Sequence, residues 1–232
     1  MEFPNRAYED EFEAEGADRI LGDGDRRKDY EAGMAERIGP LLGPAGRLLD
    51  IGAGTGGILL HLRDLGWTVE GIEPSDRLHE HAKSQLEDAP VHDCRLADAE
   101  DRLQNRPYDA IIAVDVIEHL PEVDQLPRMA FSWLAPGGGL FLQTPNAGSI
   151  RRYMQGEAWE QWLPDEHFII HSKGSLGLLL EKSGFIIESI GTVSGGATDT
   201  PIMNTLKWPI GRILALIGMG NALNAVARKP AL

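Results

Sequence analysis

The segment Leu48-Leu49-Asp50-Ile51-Gly52-Ala53-Gly54-Thr55-Gly56-Gly57 limits the possible folds more than any other part of this chain. An apolar run breaks into glycines and resumes as Ile58-Leu59-Leu60. Glycine tolerates positive φ and lets a ligand approach the backbone closely. The pattern therefore reads as strand, tight turn and helix start. A helix start presents unpaired N–H groups and the positive end of a dipole, which suits an anionic group. A nucleotide-like ligand over the carboxyl edge of a sheet follows from this.

The surrounding sequence supplies that sheet. Apolar strands are expected at Arg47–Ile51, Thr68–Ile72, Val91–Arg95, Tyr108–Val114 and Leu140–Gln143. Helices are expected between them at Gly56–Leu65, Asp76–Leu86 and Glu122–Leu134, the last stopped by Pro136-Gly137-Gly138-Gly139. Continuous apolar strands joined by crossover helices mean parallel pairing with both faces covered. The fold class is α/β, a Rossmann-like doubly wound sheet. Upstream, Tyr30, Met34, Ile38, Leu41 and Leu42 mark an amphipathic helix over Arg26–Leu42, preceded by an acidic arm over residues 1–24. Downstream come a Trp-bearing stretch too long for a simple connection, a helix at Lys173–Lys182 and strands at Phe185–Val193 and Asn221–Ala227. The expected organisation is one domain over 1–232. It divides into a helical arm (1–45), a cofactor-binding core (46–146) and cap insertions at 147–172 and 199–220.

Composition removes several function classes. With 36 acidic against 22 basic side chains the formal charge is −14, which opposes binding to a phosphate backbone. Nucleic acid is therefore not an expected partner. Cys94 is the single cysteine, so neither an intrachain disulfide nor a cysteine-built zinc cluster can form. Residues Met1–Glu15 lack the basic-then-apolar order of a signal peptide, and no uncharged apolar run approaches the ~18 residues of a membrane span. A cytoplasmic location is expected.

Two kinds of ligand compete for the glycine loop. Gly52, Gly54 and Gly57 satisfy G-x-G-x-x-G, and Glu73 ends the next strand about twenty residues on, where a carboxylate accepts from ribose hydroxyls. Both features fit a nicotinamide dinucleotide. Asp50, two positions before the first glycine, does not, because it would repel a pyrophosphate and attract ammonium or sulfonium charge. Asp98 follows the third strand and Asp115 the fourth, adding negative potential. Each aspartate also reads as a helix N-cap.

The chain resembles the class I S-adenosylmethionine-dependent methyltransferases. The resemblance rests on LLDIGAGTGG at 48–57, GIEPS at 71–75, DAE at 98–100, YDAIIAVDVIEHL at 108–120 and LAPGGGLFLQTPN at 134–146, in family order. The segment GEAWEQWLPDEHFIIHSKGSLGLLLEKSGF at 156–185 is similar to the subset with a W…P-x-x-H segment before a helix and a glycine-phenylalanine strand, and Asp115, Glu118 and His119 resemble an acidic-x-x-Glu-His segment of the ubiquinone-biosynthesis O-methyltransferases. It implies a seven-stranded sheet, mostly parallel with an antiparallel last strand, and S-adenosyl-L-methionine as cofactor. It also implies site roles. Gly52, Ala53 and Gly54 would line the methionine and ribose, Glu73 would bind the ribose diol and Pro74 would pack near adenine. Asp98 and Ala99 would meet the adenine edge, and Asp115 and Val116 would flank the sulfur. Tyr30 and Arg27 are candidates to close over the cofactor, or are ordinary helix surface.

Methyl transfer needs an aligned nucleophile and a dry site, and an oxygen nucleophile often needs a base. His61, His79, His81 and His92 fall away from the carboxyl edge, which leaves His119, His167 and His171. His167, after the Trp-rich insertion, is the candidate catalytic base, with a structural role in the cap as its alternative. Trp159 and Trp162 line the acceptor pocket or form the cap's own core. Were a helix to begin near Asp115, Asp115, Glu118 and His119 would share a face able to hold a divalent ion; simple helix-start packing is favoured, and no metal is expected. Residues 202–220 are apolar and offer a peripheral membrane contact, a dimer contact or internal packing. The expected function is methylation of a small-molecule acceptor, at oxygen. An NAD(P)-dependent oxidoreductase and a non-catalytic cofactor-binding module are the alternatives.

Overall fold

The computed structural model describes residues 16–103, 106–193 and 213–231. Most of the acidic arm and residues 199–212 of the second cap lie outside them. A short helix α1 over 16–22 leads into α2 (Gly24–Leu42). There follow β1 (Arg47–Ile51), α3 (Gly57–Asp64), β2 (Thr68–Ile72), α4 (Asp76–Leu86) and β3 (Val91–His92). Then come β4 (Tyr108–Val114), α5 (Gln125–Trp133), β5 (Leu134–Pro145), α6 (Ile150–Gln155), α7 (Lys173–Lys182), β6 (Ile186–Val193) and β7 (Ala222–Arg228). Among the described residues no helix is long and apolar enough to cross a membrane.

The seven strands are ordered β3-β2-β1-β4-β5-β7-β6. Strands β1 to β5 pair in parallel, and β7 inserts antiparallel between β5 and β6. The order reverses between β1 and β4, the switch point where ligands settle in open α/β sheets. Alternation along the strands feeds two cores. Ile111 and Leu140 join Trp133, Leu180 and Leu223 on one face, while Ile112 and Phe141 join Met34, Ile38 and Leu62 on the other.

Three local expectations change. The third strand is only two residues long, and residues 96–98 coil into a 3-10 turn instead. The fifth strand starts at Leu134, before the glycine run. Its pairing with β4 shifts between Tyr108↔Leu134 and Ala110↔Gly139, so the Pro-Gly segment is absorbed as an irregularity within the strand. No α-helix begins at Asp115; a 3-10 turn covers Ile117–His119.

Helix α2 is tied to the far edge of the sheet. Arg228 donates to the carbonyls of Leu42 (2.7 Å) and Leu41 (2.8 Å) and pairs with Glu188 (2.9 Å). This satisfies carbonyls that a helix end leaves open, and it fixes the line along which α2 runs back across the sheet. At the other side Gly56 adopts φ +78°, and a Cβ there would lie 3.0 Å from Ala82 Cβ on α4. Gly56→Ala is expected to lower stability by about 1–3 kcal/mol through crowding and backbone strain, read as an earlier urea midpoint. An unchanged midpoint would contradict this packing.

Candidate active site

The glycine loop is anchored before any ligand arrives. Gly52 N–H and Ala53 N–H both donate to Ile72 O at 2.9 Å, which binds the turn to the end of β2. Gly52 has φ +77°, and a Cβ there would stand 2.5 Å from Val116 Cγ2. That glycine lets the β4 loop close on the β1 loop. Glu73 is buried at the end of β2, accepting from Gly54 N–H (2.7 Å) and Ser75 N–H (2.9 Å). Pro74 beside it is exposed. Across the edge Ala99 is buried and Asp98 exposed. Asp98 is the last residue of its 3-10 turn rather than the cap of a helix.

Beneath the loop the charges crowd. Asp50 is 2% exposed, and its Oδ1 has no hydrogen-bond partner among the described residues. Burial pushes its carboxyl well above the usual range, and neighbouring Glu73 and Glu31 push it further, against the pull of Arg27. Glu31, buried on α2, pairs with Arg27 (2.7 Å) and accepts from the Thr55 hydroxyl. A Cβ at Gly57 would overlap the Glu31 carboxylate, so this glycine admits α2 against the start of α3. Arg27 Nη2 lies 3.7 Å from where a Gly54 Cβ would be, over the loop. Tyr30, one turn along, accepts from Gln143 Nε2 at 2.8 Å. Its phenol is pushed up to about 12 by burial and by Asp115.

On the other side of the switch point Asp115 takes φ +55°, unusual for a side-chain-bearing residue. Its N–H donates to Gln143 O (2.9 Å), and burial raises its carboxyl to about 6. Glu118 is 1% exposed and accepts from Thr144 Oγ1 (2.9 Å). Burial and the nearby Asp115 raise its carboxyl to about 8. The cap reaches this point through Phe168 N–H, which donates to Glu118 O (2.8 Å).

His119 and His167 then meet edge to face, with ring centroids 4.7 Å apart. Each Nδ1 faces a backbone carbonyl, Glu166 O at 3.1 Å and Gln161 O at 2.9 Å. A carbonyl only accepts, so each Nδ1 carries the hydrogen and each Nε2 keeps its lone pair. Burial and the facing imidazole lower His119 to about 4. Ligand atoms of Glu118, His119 and His167 lie within 4.8 Å of one another, a set able to hold a divalent ion. The conditional helix face of Asp115, Glu118 and His119 does not form, because residue 115 has left the helical region. The loop geometry brings His167 to Glu118 and His119 instead.

The remaining candidates separate cleanly. Trp159 is buried, whereas Trp162 and Phe168 are half exposed. His171 is buried beside Ser175 at the start of α7. His92 pairs with Glu70 (2.7 Å) and His79 with Val91 O (3.0 Å), both structural. Glu31 and Gln143 were not singled out from the sequence. Each lies inside an ordinary element pattern, and only the packing of α2 over the sheet reveals its role.

A family model described as Methyltransferase domain matches residues 23–190. The ubiquinone biosynthesis O-methyltransferase of Xanthomonas campestris pv. campestris (strain B100) is 34% identical over 106 residues, 44% of this chain and 44% of that protein. The mitochondrial ubiquinone biosynthesis O-methyltransferase of Homo sapiens is 28% identical over 166 residues, 65% of this chain and 44% of that one. The matched region thus spans less than half the length of these relatives. Among solved structures, a SAM-dependent methyltransferase from Archaeoglobus fulgidus aligns with TM-score 0.66 at 16% identity, over 87% of this chain and 94% of that one. The Haloferax volcanii complex of the Trm112 methyltransferase activator and a putative methyltransferase aligns with TM-score 0.71 at 15% identity, over 94% and 96%. At those identities the likeness is one of fold. With the family match over residues 23–190, the chain belongs to the class I S-adenosylmethionine-dependent methyltransferases.

Proposed function

We propose that this chain transfers the methyl group of S-adenosyl-L-methionine to an oxygen of a small-molecule acceptor. The observation that carries the cofactor side is the buried, unpartnered oxygen of Asp50 among Glu31 and Glu73 beneath the glycine loop. A pocket so charged favours a ligand bearing ammonium and sulfonium groups over a diphosphate.

Site roles follow from position. Gly52, Ala53 and Gly54 border the methionine and ribose, and Glu73 turns from backbone amides to the ribose diol. Pro74, Asp98 and Ala99 border the adenine. Asp115 and Val116 flank the sulfur, and Arg27 with Tyr30 covers the pocket from α2. Bound S-adenosylmethionine supplies an electrophilic methyl carbon. The residues here align the acceptor oxygen, keep water out and take its proton.

His167 is the base we assign, since its Nε2 lone pair is available beside Glu118 and His119. Trp162 and Phe168 offer it an apolar, partly open rim. That rim and the names of the curated relatives support a hydroxylated aromatic acceptor. Ile213, Leu216 and Ile217 are more than half exposed at the end of the second cap. They support a peripheral membrane contact or a dimer contact through 202–220. Residues 202–212 of that segment lie outside the described residues.

Labelled-methyl transfer into a panel of dihydroxybenzoates, sugars, small amines and lipid dispersions tests the assignment. Label in a phenolic ether is expected, and label confined to amine acceptors would contradict it. His167→Ala is expected to slow that transfer by roughly 10²–10⁴-fold while adenosylhomocysteine affinity stays near wild type. A fall in both would point to a structural histidine. Glu73→Ala is expected to weaken adenosylhomocysteine binding by about 1–3 kcal/mol, the range for a lost charge-assisted hydrogen bond, measured by calorimetry. Unchanged affinity would remove Glu73 from the cofactor site.

A further inference from the structure

Gln143 sits at the carboxyl end of β5, 5% exposed, within the segment 134–146 but given no role there. Its side-chain nitrogen makes two kinds of contact. It donates to Tyr30 OH at 2.8 Å and lies 3.5 and 3.4 Å from Asp115 Oδ1 and Oδ2. A primary amide has two hydrogens, so one can serve the phenol and the other the carboxylate. The same residue holds Asp115 through the backbone, since Asp115 N–H donates to Gln143 O at 2.9 Å. Asp115 is therefore gripped twice by one residue, in a backbone conformation that a residue with a Cβ seldom adopts unaided.

The other end of this contact is α2. Besides the Arg228 contacts at its C-terminal end, that helix is fastened through two adjacent residues, Tyr30 and Glu31. Glu31, paired with Arg27, accepts from Thr55 of the glycine loop, and Tyr30 accepts from Gln143. The first attachment is on the cofactor side of the switch point. The second reaches the loop of Asp115 and Val116, across from it. A buried amide left without partners is costly, so losing Tyr30 from Gln143 disturbs the hold on Asp115, and the reverse.

We propose that Gln143 is a positioning residue that joins the seating of α2 over the cofactor to the setting of Asp115 on the reacting side. It acts through Tyr30 and Asp115 and touches no reacting atom. The coupling implies an order of events: cofactor entry seats α2, which fixes Asp115, and the acceptor meets a completed site. The inference rests on the cofactor reading above only for that order. The mechanical link between α2 and the Asp115 loop stands without it.

Gln143→Met keeps the length and volume of the side chain and removes its donors. Tyr30→Phe removes only the hydroxyl, and gives a milder second variant should the first not fold. Backbone hydrogen exchange over residues 24–31 and 114–119 is measured in the ligand-free chain, and adenosylhomocysteine affinity by calorimetry. Each variant is expected to speed exchange in both segments and to weaken binding by about 3- to 10-fold, the scale of one net hydrogen bond. The double variant is expected to bind no more weakly than the weaker single one. Exchange that rises in one segment alone, or binding losses that multiply in the double variant, would overturn the coupling. If exchange changes in both segments while affinity stays constant, the proposed order of events is wrong and the link itself stands.

Discussion

The crowding of buried carboxylates around one guanidinium, beneath the turn that leaves β1, is the constraint to which the rest of the site answers. Asp50, Glu31 and Glu73 are each 5% exposed or less, and Arg27 is the cation that α2 brings to them. Burying the Asp50 carboxyl beside two other acidic groups is unfavourable, and its raised proton affinity expresses that cost. A ligand carrying positive charge relieves it, and a diphosphate aggravates it. Helix α2 is thus more than a cover. Arg228 sets its direction at one end, and its other end carries Arg27, Tyr30 and Glu31 to the mouth of the sheet.

The two sides of the switch point differ in how they are built. The cofactor side rests on backbone: glycines in positive φ, amides donating into Ile72 O, a carboxylate at a strand end. The opposite side, proposed to take the acceptor, rests on side chains that arrive from separated segments. Glu118 and His119 come from the loop after β4, Thr144 from β5 and His167 from the first cap. This division explains how residues of loops and cap could be exchanged without disturbing the glycine loop.

It also explains what could be read from the amino acids alone. The order of the parallel strands and the glycine loop are local patterns that periods and spacings place, whereas the antiparallel last strand follows from the family resemblance. Two strands depart from their expected bounds: only Val91 and His92 of Val91–Arg95 pair, because a polar edge carries little apolar signal, and β5 begins at Leu134, ahead of the Pro-Gly run that reads as a break. The helix-cap alternative for Asp115 is not what forms: its N–H donates to Gln143 O, its φ is +55°, and a 3-10 turn follows, so tertiary contact overrides local preference. His167 was picked from its place after the Trp-rich insertion. Its partnership with Glu118 and His119 depends on how the cap folds back, which no short-range pattern encodes. Glu31 and Gln143 stayed hidden because one reads as helix surface and the other as strand.

The central claim is that the glycine loop over Asp50 is made for a cationic adenosyl ligand. Calorimetric titration of S-adenosylmethionine and of NADH into the same preparation tests it most directly. Saturable heat with S-adenosylmethionine, lost in Asp50→Asn, and none with NADH is the predicted result. Saturable binding of NADH with none of S-adenosylmethionine would contradict the account.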